Sequence, residues 1–182
     1  MELELRTATV DDIPVLTALI QASARGLSGA DYSSEQIEAA LKSAWGVDSE
    51  LVGDETYFVV EVGGRIVACG GWGKRATRFG GDAQAERSSE LLDPAVDGAR
   101  IRAFFVHPEW ARLGIGRALL ERCEKEARAH GFRKAELVAT LPGRRLYAAM
   151  GYFGDAHVTY PLGDGVTIDF VPMSKVLTKS ED

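Results

Sequence analysis

Apolar and polar residues alternate from Glu2 to Thr7, a two-residue period that predicts a strand with one buried face. The period then lengthens. Ile13, Leu16, Leu19 and Ile20 recur at helical spacing in VDDIPVLTALIQASARG, with Asp11 or Asp12 at the capping position. A second helix is expected from Ser33 or Ser34, where Ser, Glu, Gln and Ile fall in capping order, to about Trp45. Two strand-like runs follow, ETYFVVEV and RIVACGGWG, divided by Gly63-Gly64, a hairpin signal. Residues 74–98 show no period. They are rich in Gly, Ser, Asp and Glu, with Leu91 and Leu92 as apolar anchor, and read as a long loop with room for one helical turn.

Alternation resumes from Ala99 to Val106, with Ile101, Ala103 and Phe105 expected on one face. A helix from Gly114 to His130 presents Ile115, Leu119, Cys123 and Ala127 as its apolar stripe. Glu121 with Lys125 and Glu124 with Arg128 stand four apart in the favourable order, and Gly131 ends the helix. KAELVAT reads as a strand, Pro142 to Met150 as a short helix closed by Gly151, and two last strands flank PLGDGVT. This order of elements predicts an α/β chain with a mixed sheet and helices packed on it.

Composition narrows the class. A chain of 182 residues that is 46% hydrophobic fits one globular domain, here read as residues 1–176 with a polar tail at 177–182. A net charge of -6 argues against an extended nucleic-acid surface, which needs clustered Lys and Arg. The alternating, acidic opening is neither a signal nor a transit peptide, and no apolar run reaches the ~20 residues of a membrane span. The expectation is a soluble, cytoplasmic protein without membrane contact. Cys69 and Cys123 lie on separate apolar segments and read as buried hydrophobes, not as a disulfide or metal site.

One stretch does not fit a purely structural reading. In FFVHPEWARLGIGRALLERC, a strand stops at His107-Pro108 and a helix begins at Gly114-Ile115-Gly116 with no Ser, Thr, Asp or Asn to cap it. The first N–H groups of a helix lack intrahelical partners and carry partial positive charge. Glycines keep those donors open, and Arg112 and Arg117 add charge, a combination suited to a pyrophosphate-sized anion. A tight turn alone is the competing reading. A dinucleotide loop would need a third glycine where Leu119 stands, and a Walker loop would need Gly-Lys-Ser/Thr.

VHPEWARLGIGRALLERCEKEARAHGF followed by LYAAMGYF resembles the GCN5-related N-acetyltransferase family, whose signature is Gln/Arg-x-x-Gly-x-Gly/Ala after a strand, then a Tyr before Gly-Tyr/Phe. The likeness runs from LRTATVDDIPVLTAL to VPMSK, and Ala111 stands where the family has Gln or Arg. The resemblance implies an acyl-CoA N-acyltransferase fold: a mostly antiparallel sheet of about seven strands with about four helices. It implies acetyl-CoA as co-substrate, with no metal. Arg112, Leu113, Gly114, Ile115, Gly116, Arg117 and Ala118 would hold the pyrophosphate, and the main chain of Phe104, Phe105 and Val106 the pantetheine arm. An amide near Phe105 or Val106 would stabilise the oxyanion. Tyr147 would protonate the departing thiolate, since a phenol of pKa ~10 is protonated at neutral pH. For the general base, Glu136 is taken as the candidate, with His107 or ordered water as alternatives.

The acceptor is expected to be the primary amine of a small molecule. Tyr32, Asp31, Trp45, Trp72 and Tyr160, with the acidic run Asp82, Glu86, Glu90 and Asp93, would suit a small cation. A protein acetyltransferase acting on an N-terminus or lysine, which needs an open groove, is one alternative. A non-catalytic acyl-CoA sensor is another. The resemblance also allows a homodimer through the terminal strands.

Overall fold

A computed structural model of the chain describes residues 1–178. Residues 179–182, the end of the expected polar tail, lie outside the described residues. Leu177, read as the start of that tail, is buried and donates its N–H to the Arg133 carbonyl, so the folded unit reaches at least this far.

Among the described residues seven strands form one sheet: β1 (Glu4–Thr7), β2 (Tyr57–Val62), β3 (Arg65–Gly73), β4 (Ala99–Val106), β5 (Lys134–Ala139), β6 (Val158–Gly163) and β7 (Val166–Val176). Their order is β1-β2-β3-β4-β5-β7-β6, with β4 and β5 parallel and every other neighbouring pair antiparallel. Five α-helices accompany them among the described residues: α1 (Ile13–Leu27), α2 (Ser34–Ser43), α3 (Ser49–Gly53), α4 (Ile115–Ala129) and α5 (Arg144–Ala149). No described helix is long and apolar enough to cross a membrane.

The sheet separates two cores. On one face Leu16, Leu19 and Ile20 of α1 and Ile37 and Ala40 of α2 pack on Tyr57, Val59 and Phe170. On the other, Ile115, Leu119, Cys123 and Ala127 of α4 pack with Tyr147 of α5 on Phe58, Ile101, Ala135 and Leu137. The expected stripe of α4 is thus the buried one, because apolar residues at 3.6-residue spacing share a side of the helix. Ser33 caps α2, accepting from Gln36 N–H at 3.1 Å while the Gln36 side chain accepts from Ser33 N–H at 2.9 Å.

Two features differ from the sequence reading. The short helix α3 was not expected; its cap is Asp48, which is fully buried and accepts from the N–H of Glu50 and Leu51 at 3.0 and 3.3 Å. The second is in β4. Ile101 faces the α4 core, but Ala103 and Phe105 face the α1 core, not the same side. Ala103 has φ 56° and the register with β3 slips between Cys69 and Gly71, so a β-bulge reverses the alternation. Residues 74–98 form a loop without a helix, its ends drawn together by a bridge between Arg75 and Leu91.

Candidate active site

β4 and β5 pair only at Ala99 with Ala135 and at Arg100 with Glu136. Beyond that point they diverge, because a bulge bends and twists the strand that carries it. Two contacts hold the bulge. The Tyr57 hydroxyl donates to the Ala103 carbonyl at 2.9 Å. Gly70 sits under the Phe104 ring, which a Cβ on Gly70 would meet at 2.8 Å. The edge of Phe104–Val106 that faces away from β3 is therefore left without a strand. His107 N–H donates to the Val67 carbonyl at 2.8 Å, so the two-residue alternation of the ladder turns Phe105 N–H toward β3 and Val106 N–H into the gap. Pro108, which has no N–H, then opens a 3-10 turn over Pro108–Trp110 and ends the ladder.

A cavity of about 190 Å³ occupies this gap, walled by Trp45, Phe79, Phe104, Phe105, Val106, Thr140, Tyr147 and Phe170 among others. Tyr147 is 9% exposed, its ring edge-on to Phe104 at 6.1 Å and to Tyr152 at 6.0 Å. Its hydroxyl has no hydrogen-bond partner among the described residues. Burial, with a smaller effect of Cys123, pushes its pKa well above the usual tyrosine range, so the phenol keeps its proton at any physiological pH.

The glycine turn adjoins this cavity. Gly114 is the N-cap of α4, at φ 82° and ψ 4°, and no side chain caps the helix. Arg112 also has positive φ, 63°. The first intrahelical bond runs from Ala118 N–H to the Gly114 carbonyl at 3.1 Å, while Ile115, Gly116 and Arg117 N–H have no acceptor among the described residues. Nothing lies within 4 Å of where a Gly114 Cβ would stand. This open face borders a cavity of about 380 Å³ lined by Trp110, Arg112, Gly114, Gly116, Arg117, Pro142 and Arg145. It shares Val106, Gly116 and Leu146 with the cavity in the strand gap. The turn and the gap therefore form one path, with free N–H donors and three arginines at one end and a strand edge and a phenol at the other.

Most of the expected residues come together here. Phe104, Phe105 and Val106 line the gap, and Arg112, Gly114, Ile115, Gly116 and Arg117 line the turn cavity. Leu113 and Ala118 line neither, and the Ala118 N–H, expected to hold an anion, is committed to Gly114. Glu136 lies apart. It lines a third cavity of about 260 Å³ and is paired with Arg100 and, at 2.6 Å, with Lys134. Partial burial raises its pKa, but the hydrogen bond from Lys134 and the charge of Arg100 prevail and hold it below the usual glutamate value. A carboxylate so held is a weak base. His107 lines none of these cavities; its Nδ1 accepts from Glu109 N–H at 3.2 Å as a cap. Cys69 is fully buried, which pushes its thiol up to about 12, far from a nucleophile's range.

The expected acceptor residues divide. Trp45 and Tyr160 line cavities, whereas Trp72 is fully buried on the opposite face beside Phe132 and His130. Its place in β3 puts it on the α4 side. Tyr32 is a structural tie: its hydroxyl donates to Asp169 carbonyl at 2.6 Å and accepts from Leu141 N–H at 2.9 Å. The acidic run shapes the loop, with Asp82 accepting from Ser49 N–H at 3.0 Å and Asp93 from Ala95 N–H at 2.9 Å. Sequence reasoning missed Phe79, Thr140, Phe170 and Arg145. Arg145 had a signal, standing two residues before Tyr147; Phe170 had none, since only the sheet order brings β7 beneath the loop.

A strand pair splayed at a bulge, opening onto an uncapped glycine turn, defines a fold built to hold an acyl thioester of a phosphorylated carrier. The family model for acetyltransferases (GNAT) matches residues 18–152, and the chain belongs to that family. It is an acetyl-CoA-dependent N-acetyltransferase. Solved structures agree in fold over nearly the whole chain. A GCN5-related N-acetyltransferase from Rhodopseudomonas palustris is 24% identical, covers 97% of each chain and has a TM-score of 0.71. The PaiA N-acetyltransferase of Thermoplasma acidophilum, in complex with coenzyme A, is 16% identical over 97% of this chain and 99% of that one, with a TM-score of 0.65. The yncA protein of Salmonella typhimurium, with acetyl-CoA, is 18% identical over 100% and 98%, with a TM-score of 0.64. No curated protein matches the sequence.

Proposed function

We propose that the chain transfers the acetyl group of acetyl-CoA directly to the primary amine of a small molecule, with Tyr147 as the acid. The observation that carries this reading is the cavity in the strand gap, where Tyr147 and the Val106 N–H border the same space. Ile115, Gly116 and Arg117 N–H, with Arg112, Arg117 and Arg145, hold the pyrophosphate end. The free edge of Phe104–Val106 pairs with the pantetheine arm as an added strand would. The amine lone pair attacks the thioester carbon, and Val106 N–H stabilises the charge that develops on oxygen. The new C–N bond replaces the C–S bond. The amine proton leaves to water, which fits the ion-paired state of Glu136, and the thiolate takes the proton of Tyr147.

A small acceptor is favoured over a protein because the loop is drawn over the cavity. Trp45, Phe79 and Gly80 close one side, and the loop is pinned through Arg87 to Asp48 at 3.1 Å and through Arg102 to the Gly80 carbonyl. The test is thiol release from acetyl-CoA across a panel of free amines and of peptides with free N-termini or lysines. Turnover with free amines that Tyr147→Phe lowers by about 10²-fold supports the reading. Turnover with peptides alone moves the acceptor to protein. Tight acetyl-CoA binding without turnover on either panel makes the protein a sensor.

A further inference from the structure

The wall of the acceptor region carries the opposite charge from what an ammonium-binding pocket needs. The cavity in the strand gap and the third cavity share Arg78, Leu137 and Val138, so they form one space beyond the thioester position. Its charged lining is Arg78, Arg100, Arg102 and Glu136: three guanidiniums and one carboxylate, in a protein of net charge -6. Two of the cations are occupied. Arg100 is paired with Glu136, which Lys134 also engages, and Arg102 is paired at 2.5 Å with the buried Asp48, which Arg87 also engages. Even so, Nε of Arg100 and Nε of Arg102 are sealed from solvent with no acceptor, so each guanidinium is incompletely satisfied.

Arg78 differs. It belongs to both cavities and is exposed at their junction, and it has no carboxylate or hydrogen-bond partner among the described residues. Around it the wall is aromatic, with Phe79 edge-on to Tyr160 at 4.9 Å and to Phe170 at 5.7 Å. A guanidinium presents parallel N–H donors that match one carboxylate, and an aromatic wall beside it takes an apolar side chain. A bare cationic amine would meet the unpaired charge of Arg78 and find the one lining carboxylate, Glu136, already engaged by Arg100 and Lys134.

Building on the small-molecule reading above, we propose that the acceptor is a primary amine that also carries a carboxylate and an apolar body, as an amino acid does. Arg78 binds that carboxylate at the junction of the two cavities, which leaves the amine on the side of Tyr147 and Val106. Positive charge nearby also lowers the pKa of the acceptor's ammonium, so more of it is free base at neutral pH without a dedicated side-chain base.

The test compares matched amines: phenylalanine with its methyl ester, its amide and phenethylamine, leucine with isoamylamine, and phosphoethanolamine with ethanolamine. Wild-type protein is expected to give at least tenfold higher kcat/KM on the amino acids than on partners lacking the carboxylate. Arg78→Gln should raise KM for the amino acids tenfold or more with a smaller change in kcat, and Arg78→Lys should recover part of it. Acetyl-CoA affinity, unchanged in both variants, reports that the fold is intact. Equilibrium binding of N-acetylphenylalanine, alone and with coenzyme A, scores the anion site without turnover. Preference for the esters or bare amines, preference for phosphoethanolamine, or an Arg78→Gln variant with the wild-type discrimination overturns the proposal. So does absence of Arg78-dependent binding of N-acetylphenylalanine in a protein that turns over no amine. Failure to bind acetyl-CoA at all, by contrast, would count against the transferase reading itself.

Discussion

The phenol of Tyr57 on β2 donates to the carbonyl of Ala103 on β4 at 2.9 Å, across the intervening strand β3. Ala103 is the residue at which β4 reverses its faces, so one half-buried hydrogen bond anchors the conformation that parts β4 from β5. Tyr57→Phe leaves that carbonyl without its donor. The expected loss is about 0.5–1.5 kcal/mol of stability, the net worth of one hydrogen bond whose acceptor is only half-buried. Urea unfolding measures the first effect. A several-fold weaker acetyl-CoA titration reports the second, because the strand edge is no longer held open.

Gly114→Glu should cost acetyl-CoA affinity at least tenfold while the protein still folds. The added Cβ meets no protein atom, so the main structural cost is the left-handed backbone, about 1–2 kcal/mol for a non-glycine residue. The functional cost is larger, because a carboxylate then stands where the proposed pyrophosphate site lies. Calorimetric titration of both proteins, beside a thermal melt, separates the two costs. An unchanged dissociation constant would mean that the turn does not hold the pyrophosphate.

Tyr147→Phe should lower kcat by about 10²-fold, at the low end of acid–base contributions, with little change in acetyl-CoA affinity. The wild-type pH profile adds a check. Burial raises the phenol's pKa, so the protonated acid persists above pH 10 and the rate should show no alkaline fall there. Any rise with pH then belongs to the acceptor amine. A descending limb near pH 8 would assign the acid to another group.

Asp48→Asn should destabilise the protein by about 3–5 kcal/mol, the usual result of removing one partner of a buried ion pair. Asp48 is fully buried, caps α3 and pairs with Arg102 at 2.5 Å and Arg87 at 3.1 Å. The change strands a buried guanidinium and loosens the loop at Arg87 and Gly80. Faster amide exchange confined to residues 74–98, beyond the global destabilisation, is the specific sign of that loosening.

At the other end of the sheet, Arg6 contacts both oxygens of Asp12 at 2.8 and 2.9 Å. That hydrogen bonding, against the opposing effect of burial, lowers the Asp12 pKa from 3.8 to about 2. A depressed carboxylate contributes stability that is full above the unfolded value and lost as pH falls through the folded one. The contribution is about 2 kcal/mol at pH 7. Denaturant unfolding of wild type and Asp12→Asn should therefore differ most near neutral pH and converge toward pH 2. A gap that stays constant over that range would remove Asp12 from the acid response.

Much of this molecule is local and was readable in the chain. The 3.6-residue stripe of Ile115, Leu119, Cys123 and Ala127, the cap at Ser33 and the helix stop at Gly131 depend on neighbours a few residues away, so sequence alone determined them. The same holds for the uncapped turn at Gly114, because the missing cap is itself a feature of sequence. What the tertiary structure decided is whatever depends on residues far apart. The bulge at Ala103 needs Tyr57 and Gly70 from two other strands, and no alternation pattern within β4 announces it. Trp72 went to the opposite face because the register of β3 sets its side. Glu136 met Arg100 only once β4 and β5 were paired, although Lys134, two residues back on the same strand, was within its reach locally. The charge of the proposed acceptor wall followed the same rule: Asp82 turned to Ser49 and Asp93 to the Ala95 N–H, and arginines from the loop and from β4 met around one cavity.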